Sequence, residues 1–191
     1  MVGNTMKRLF DFACSFMAFI FLAIPMLMAA LAVRLTSPGP ILYWSDRVGR
    51  NNTIFKMPKF RTMLTDTPAV ATHLLGDPDQ WLTPVGGFLR KSSLDELPQL
   101  FSILTGDMSI VGPRPALFNQ HDLIALRTEK GVHLLTPGLT GWAQINGRDE
   151  LPIPVKVEFD EFYLRNRSFL LDIQIIFRTF AKVAKREGVQ H

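Results

Sequence analysis

The sequence predicts an α+β fold, mainly α, in which an N-terminal re-entrant membrane helix precedes a small β-hairpin and a helical domain with amphipathic surface helices. Three observations carry this. The run from Phe12 to Val33 holds no charged side chain and is interrupted by Pro25. Two short β-prone stretches flank the Gly- and Asn-containing segment Asp46 to Asn52. Near the C-terminus, apolar residues recur at helical spacing beside a row of cations.

Composition sets the bounds. A chain of 191 residues suits one domain with a single core. A hydrophobic share of 47% and a mean hydropathy of +0.14 are high for a soluble domain and low for a chain made of membrane spans. One apolar element on a polar domain fits both. The net charge of +4 points to an anionic partner: a phosphate-bearing substrate, acidic lipid headgroups or nucleic acid. Cys14 is the sole cysteine, which excludes a disulfide framework and a Cys-based zinc site.

Taking the elements in order, a straight helix from Phe12 to Val33 would reach about 33 Å, enough for a bilayer. Pro25 argues against a crossing, because it removes a helical hydrogen bond and splits the run into arms too short to span. Charge argues the same way. Lys7 and Arg8 precede the run and Arg34, Arg47 and Arg50 follow it, so both ends favour the cytoplasmic side. A helix that enters one leaflet, bends at Pro25 and returns satisfies both constraints. The competing readings are a signal peptide ending near Ala30-Leu31-Ala32, a conventional single span, and a buried soluble helix.

Ser37-Pro38-Gly39-Pro40 ends the helix. Ile41 to Trp44 and Thr53 to Lys56 read as strands joined by a turn. Tyr43 and Trp44 fit either the core or a membrane interface. Lys59 and Arg61 fit either a solvated face or contact with phosphate. Asp66 to Gln80 reads as a surface loop.

The chemistry concentrates in Ser92-Ser93-Leu94-Asp95-Glu96-Leu97-Pro98-Gln99-Leu100. Ser93 to Glu96 has the form of a capping box, which would make both acids mere helix-start residues. Pro98 conflicts with a helix capped at Ser93 and suits one capped at Asp95. A helix start also presents unpaired N–H groups to phosphate, with Arg90, Lys91 and Arg114 available for charge-assisted bonds. Two carboxylates beside a phosphate make sense if one attacks phosphorus while the other binds a divalent cation. Leu117 to Glu129 reads as a helix ending near Gly131, and Thr136 to Arg148 as a Pro- and Gly-rich loop. His121 and His133 lack metal-site spacing. In the C-terminal helix, Ile173, Ile176, Phe177, Phe180 and Ala184 share a face beside a stripe of Arg178, Lys182, Lys185 and Arg186. That helix fits anionic lipid or the core equally.

Lys7-Arg8-x-x-Asp11, Ser37-Pro38-Gly39-Pro40, Lys59-Phe60-Arg61-Thr62-Met63, Ser93 to Leu100, Gly106-Asp107-Met108-Ser109, Val111-Gly112-Pro113-Arg114-Pro115 and Pro137-Gly138-Leu139-Thr140-Gly141 together closely resemble the bacterial sugar transferase family, the small monotopic phosphoglycosyl transferases. The resemblance runs over nearly the whole chain. It implies transfer of a sugar-1-phosphate from a UDP-sugar to a polyprenyl (undecaprenyl) phosphate at the cytoplasmic face of the bacterial inner membrane, the first membrane step of surface glycan synthesis. By position it makes Asp95 the nucleophile of a ping-pong reaction and Glu96 the partner of Mg2+. It assigns Arg90 and Arg114 to phosphate, and Pro25 to the bend of a re-entrant helix. Gln144, Asn146 and Arg148 lie in a loop that reads either as a plain turn at Asn146-Gly147 or, as the resemblance favours, as a cover over the nucleotide sugar, and Lys59 and Arg61 join the phosphate-binding set.

Residues 1–36 form the membrane helix region on this reading, and residues 37–191 the cytoplasmic catalytic domain of one functional unit. The expected partners are the UDP-sugar, polyprenyl phosphate and membrane lipid, with no nucleic acid and with a homodimer left open. Departures from the family pattern are Ile24 before the bend proline, where serine is usual, Pro58 for an aromatic and Gly87 for a cation. A nucleotide-sugar hydrolase and a non-catalytic membrane scaffold are the rival readings.

Overall fold

The computed structural model describes residues 2–68, 77–147 and 151–185. The fold is α+β and mainly helical, with two small two-stranded sheets. Helix α1 (Val2–Phe21) and helix α2 (Ala23–Thr36) meet at Leu22 with a bend of 62°. Pro25 explains where the bend falls. It has no N–H for the Phe21 carbonyl four residues back, and its ring crowds that carbonyl. The ladder resumes around the gap, with Leu22 N donating to Ala18 O at 2.9 Å and Met26 N to Leu22 O at 2.9 Å. Pro25 therefore sits in the first turn of α2, where proline is tolerated.

Each helix keeps a face on the rest of the protein. Asp11 and Ser15 of α1 are buried, and Ala18 and Leu22 pack on Met57, Leu100, Ile103 and Met108. Ala29 and Val33 of α2 join Phe60 and Leu89. The opposite faces leave Phe12, Phe16, Ile20, Ile24, Leu27 and Leu31 exposed. Among the described residues no single helix is long and apolar enough to cross a membrane, and the bent pair meets that test only when its halves are taken together.

Strands β1 (Leu42–Val48) and β2 (Ile54–Phe60) pair antiparallel, Leu42 opposite Phe60 and Val48 opposite Ile54. Both are longer than the sequence suggested. Ser45, Asp46 and Arg47 continue β1, although their polarity reads as turn, because a distant segment docks there: Val48 N donates to Ala116 O at 2.9 Å and Arg47 Nη1 to Pro115 O at 3.2 Å. The turn shrinks to Gly49 to Thr53, with Asn51 and Asn52 at φ 56° and 59°, a region asparagine tolerates.

The remaining elements are α3 (Gly86–Lys91), α4 (Gln99–Thr105), β3 (Ser109–Val111), α5 (His121–Glu129), β4 (Gly138–Thr140), α6 (Trp142–Ile145), α7 (Ile153–Asn166) and α8 (Phe169–Lys185). Strands β3 and β4 run parallel, Ser109 opposite Gly138 and Val111 opposite Thr140. Glycine is required at this contact, since a Cβ on Gly138 would lie 2.1 Å from the Gly112 nitrogen. Helix α5 ends near Gly131 as expected but starts at His121, because the Gln120 side chain accepts from Leu117 N at 2.9 Å and closes a turn first. Helix α7 matches no reading of the sequence. In α8 the buried residues are Asp172 and Ile175, with Leu171 and Ile176 beside them. Phe177 and Phe180, grouped with Ile176 by spacing, are each 70% exposed, so the inward face is rotated from the apolar stripe.

Candidate active site

The Asp-Glu pair lies in a short 3-10 turn, neither in an α-helix nor at a capping box. After α3 the chain turns at Ser93, whose φ of 56° is left-handed and whose side chain makes no capping bond. A single 3-10 turn, Leu94–Glu96, follows, and α4 restarts with Pro98 at its N-cap. Pro98 is the cause. Lacking an N–H and crowding the Leu94 carbonyl, it stops any helix begun at Ser93 and is accommodated only where a new one begins. Of the two starts left open by the sequence, Ser93 and Asp95, neither caps the α-helix, whose N-cap is Pro98 itself. Successive residues of a 3-10 turn point about 120° apart, and Leu94 and Leu97 anchor it on the Val33, Phe60 and Leu89 cluster. Asp95 and Glu96 thus face different surroundings.

Glu96 Oε1 accepts from Lys59 Nζ at 2.9 Å and from Arg114 Nη2 at 2.8 Å. Lys59 comes from β2, and Arg114 from the segment after β3. Burial pushes the Glu96 carboxyl up, but the Arg114 and Lys59 charges and hydrogen bonds outweigh it and hold it well below the usual carboxylate range. Asp95 is 8% exposed. Burial raises its carboxyl to about 6; Lys59, Arg90 and Arg114 pull downward while Glu96 pushes upward. Arg90, on α3, donates from Nε to Thr62 Oγ1 at 3.0 Å. Burial lowers the Arg90 guanidinium from its ordinary value, and Asp95 partly restores it. Three cations around two carboxylates make a partly buried site with positive charge in excess, suited to a polyanion.

The other residues singled out in the sequence fall elsewhere. Arg61 is 4% exposed and wraps the Ser37 to Pro40 loop, with Nε on Pro40 O at 2.7 Å, Nη1 on Pro38 O at 2.7 Å, and Nη2 on Ser37 O at 3.0 Å and Ser37 Oγ at 2.9 Å. The sequence left Arg61 between a solvated face and phosphate, and these bonds commit its guanidinium nitrogens to the loop. Asn146 Nδ2 donates to Trp142 O at 2.8 Å and closes α6. Gln144 is buried with neither amide atom hydrogen-bonded, an arrangement that costs about 1–3 kcal/mol unless something else pairs with it. Arg148 lies outside the described residues.

Sequence reasoning named Lys7, Arg8 and Asp11 as a motif but missed the contacts by which they fix α1. Arg8 donates from Nη1 to Ile103 O and from Nη2 to Leu104 O at 2.7 Å, serving the last carbonyls of α4. Asp11 accepts from Ser109 Oγ at 2.7 Å and Ile110 N at 3.2 Å. Lys7 pairs with Asp172 at 2.6 Å, which also accepts from Tyr163 Oη at 2.6 Å. A carboxylate at the head of an uncharged run was the available signal, since such residues are rarely there without partners.

The family model described as bacterial sugar transferase matches residues 2–186. An uncharacterized sugar transferase EpsL of Bacillus subtilis is 42% identical over 97% of this chain and 90% of its own length. The undecaprenyl-phosphate galactose phosphotransferase of Salmonella typhimurium is 39% identical over 96% of this chain, which spans 41% of that relative. The UDP-glucose:undecaprenyl-phosphate glucose-1-phosphate transferase of Escherichia coli is 39% identical over 95% of this chain and 40% of its own length.

Proposed function

The chain belongs to the bacterial sugar transferase family, and on that premise we propose that it moves a sugar-1-phosphate from a UDP-sugar to a polyprenyl phosphate through a covalent intermediate on Asp95. The observation that carries this reading is the pair of adjacent carboxylates whose acidities are driven apart by burial and by cations. Asp95 is stripped of water yet ionised above about pH 6, which gives a desolvated nucleophile at neutral pH. A carboxylate oxygen of Asp95 bonds to the sugar-bearing phosphorus as the bond to the uridine monophosphate oxygen breaks, and UMP leaves with the electron pair. An oxygen of the polyprenyl phosphate then attacks the same phosphorus, and Asp95 departs as its carboxylate. Lys59, Arg90 and Arg114 hold the diphosphate oxygens and offset the charge that gathers on them.

The residues suit a magnesium ion that arrives with the substrate. Among the described residues no three His, Cys, Asp or Glu side chains could hold a metal, and Mg2+ commonly needs only one or two carboxylates beside substrate phosphates and water. Glu96, ionised throughout the physiological range, would be the protein ligand. Such an ion supplies neutralisation of the diphosphate. The bent pair α1–α2 is read as a re-entrant element that places the site at the cytoplasmic face of the membrane, monotopic rather than spanning. Both of its ends being tied to the rest of the protein supports this.

The test is direct. Purified protein given Mg2+ and either UDP-glucose or UDP-galactose labelled in the sugar phosphate should form a labelled adduct that Asp95→Asn abolishes. An adduct that survives this substitution moves the nucleophile elsewhere. Undecaprenyl phosphate should carry the label into lipid, whereas release as free sugar phosphate alone would identify a hydrolase.

A further inference from the structure

Arg114 sits in Gly112-Pro113-Arg114-Pro115-Ala116, a segment held in an unusual way. Pro113 and Pro115 have no N–H, so two of its residues have nothing to donate to a strand ladder. Gly112 N donates to Thr140 O at 2.9 Å, and beyond it the segment is held by its carbonyls. Pro113 O accepts from Gly138 N at 2.8 Å, Arg114 O from Arg127 Nη1 at 2.8 Å, Pro115 O from Arg47 Nη1 at 3.2 Å and Ala116 O from Val48 N at 2.9 Å. At Arg114 itself the support is a charged fork. Arg127, on α5, spends Nε and Nη2 on Asp160 Oδ2 of α7, at 2.9 Å and 2.6 Å. Arg127 is 8% exposed and Asp160 1%.

A guanidinium is planar, so fixing two of its nitrogens on a buried carboxylate fixes the direction of the third. We infer that the Arg127–Asp160 pair is a positioning device for the phosphate site: it sets the backbone of Arg114 and, through it, the guanidinium that meets Glu96. Asp160 balances a buried charge and aims it, and Arg127 passes that aim to the Arg114 carbonyl. The side chain of Arg114 leaves the same residue and ends 2.8 Å from Glu96 Oε1, so a displaced carbonyl displaces the phosphate-binding group with it. Displacements of about 1 Å in such groups cost around a hundredfold in rate. The inference rests on the reading of Arg114 as a phosphate ligand. A pair serving only to join α5 to α7 would weaken the fold without acting through Arg114.

A double-mutant cycle distinguishes the two. Asp160→Asn, Arg127→Lys, Arg114→Ala and the double variant Arg114→Ala/Asp160→Asn are compared at matched folded fraction, with UDP affinity by calorimetry and adduct formation from the UDP-sugar as readouts. Arg127→Lys keeps the buried charge balanced and gives up the fork, which guards against an Asp160→Asn chain that fails to fold. Expected is a loss of about 10- to 100-fold in adduct formation for either single change, falling on the same parameter, KM or kcat, as Arg114→Ala. In the Arg114→Ala background Asp160→Asn should add less than about twofold. Equal losses in both backgrounds, or none in the native one, overturn the inference. A wild-type chain that binds UDP but forms no adduct sinks the transfer reading, and the cycle on UDP affinity then decides the positioning. Failure to bind UDP at all overturns both.

Discussion

Asp95 and Glu96 are chemically near-identical neighbours, and the difference between them comes from what each one meets. Glu96 meets two cations on one oxygen, and Asp95 meets apolar burial with the same cations farther off. Two consequences can be measured. Adduct formation should rise with pH and level off above an acid limb near 6, because the attacking form is ionised Asp95. Lys59→Met removes a charge that lowers the Asp95 carboxyl, so the limb should move to higher pH; a limb that stays put or falls would remove Lys59 from the field acting on Asp95. The same shift bears on stability. A carboxyl raised from 3.8 to about 6 on folding binds its proton more tightly in the folded chain, so the fold loses stability as pH rises between those values and no further above them. Asp95→Asn should therefore stabilise the protein by on the order of 2–3 kcal/mol at pH 7.5 and by almost nothing at pH 3.5. Equal melting temperatures for the two proteins at pH 7.5 would show that Asp95 is not held at such a cost. Of this site the sequence displays the two acids and the three cations, because charged residues beside a helix break are conspicuous. Arg61 it misplaces. Strand β2 ends at Phe60, and the Ser37 to Pro40 loop next to it presents carbonyls that no ladder serves, a demand no spacing rule shows.

Among the elements, α1 ties several others together. Its first turns cap the end of α4, hold β3 and pair with α8, so removing it would expose Ile103 and Leu104 carbonyls and the Ser109 to Ile110 edge. Asp11→Ala should cost about 1–3 kcal/mol by leaving Ile110 N and a Ser109 bond unmet inside the protein. Asp11→Asn, which retains an acceptor oxygen, should cost less. Denaturant midpoints in detergent measure both, and a change in Asp11→Ala below about 0.5 kcal/mol, the scale of ordinary surface substitutions, would mean that α1 is not clamped through Asp11. Elements were legible in the sequence where local rules act alone: the break at Pro25, the hairpin, the end of α5 at Gly131. They were illegible where tertiary contacts decide. Helix α7 shows little amphipathic contrast and is organised around the buried Asp160, while β1 extends through polar residues because the Pro115 to Ala116 backbone docks on it. The inward face of α8 was misjudged for a related reason: its most apolar stripe faces outward.

At the scale of the whole molecule, α1, α2 and α8 each expose apolar side chains, and the edge-to-face contact of Phe10 with Phe169, whose rings lie 5.2 Å apart, joins α1 to α8. A lipid surface is the environment that such a face matches on the re-entrant reading, and the anchors at Asp11 and Val33 then require the chain to enter and leave on one side. Leu27, 61% exposed near the bend, tests the first half: Leu27→Glu should reduce sedimentation with anionic lipid vesicles several-fold and leave the melting temperature unchanged, because no core contact is lost. Unchanged sedimentation would place the lipid contact away from the bend. The second half is a matter of sidedness. In a Cys14→Ser background, which removes the sole native thiol, Thr5→Cys and His191→Cys report the two ends separately to a membrane-impermeant maleimide. A single crossing puts the ends on opposite sides, so one of the two would label in intact cells. On the re-entrant reading both ends stay on one side, and the basic residues Lys7, Arg8 and Arg34 at either end of the apolar run favour the cytoplasmic one. Neither cysteine should label until the cells are permeabilised, and labelling of either one beforehand overturns the re-entrant arrangement, and with it the delivery of the Asp95 and Glu96 site to the cytoplasmic leaflet.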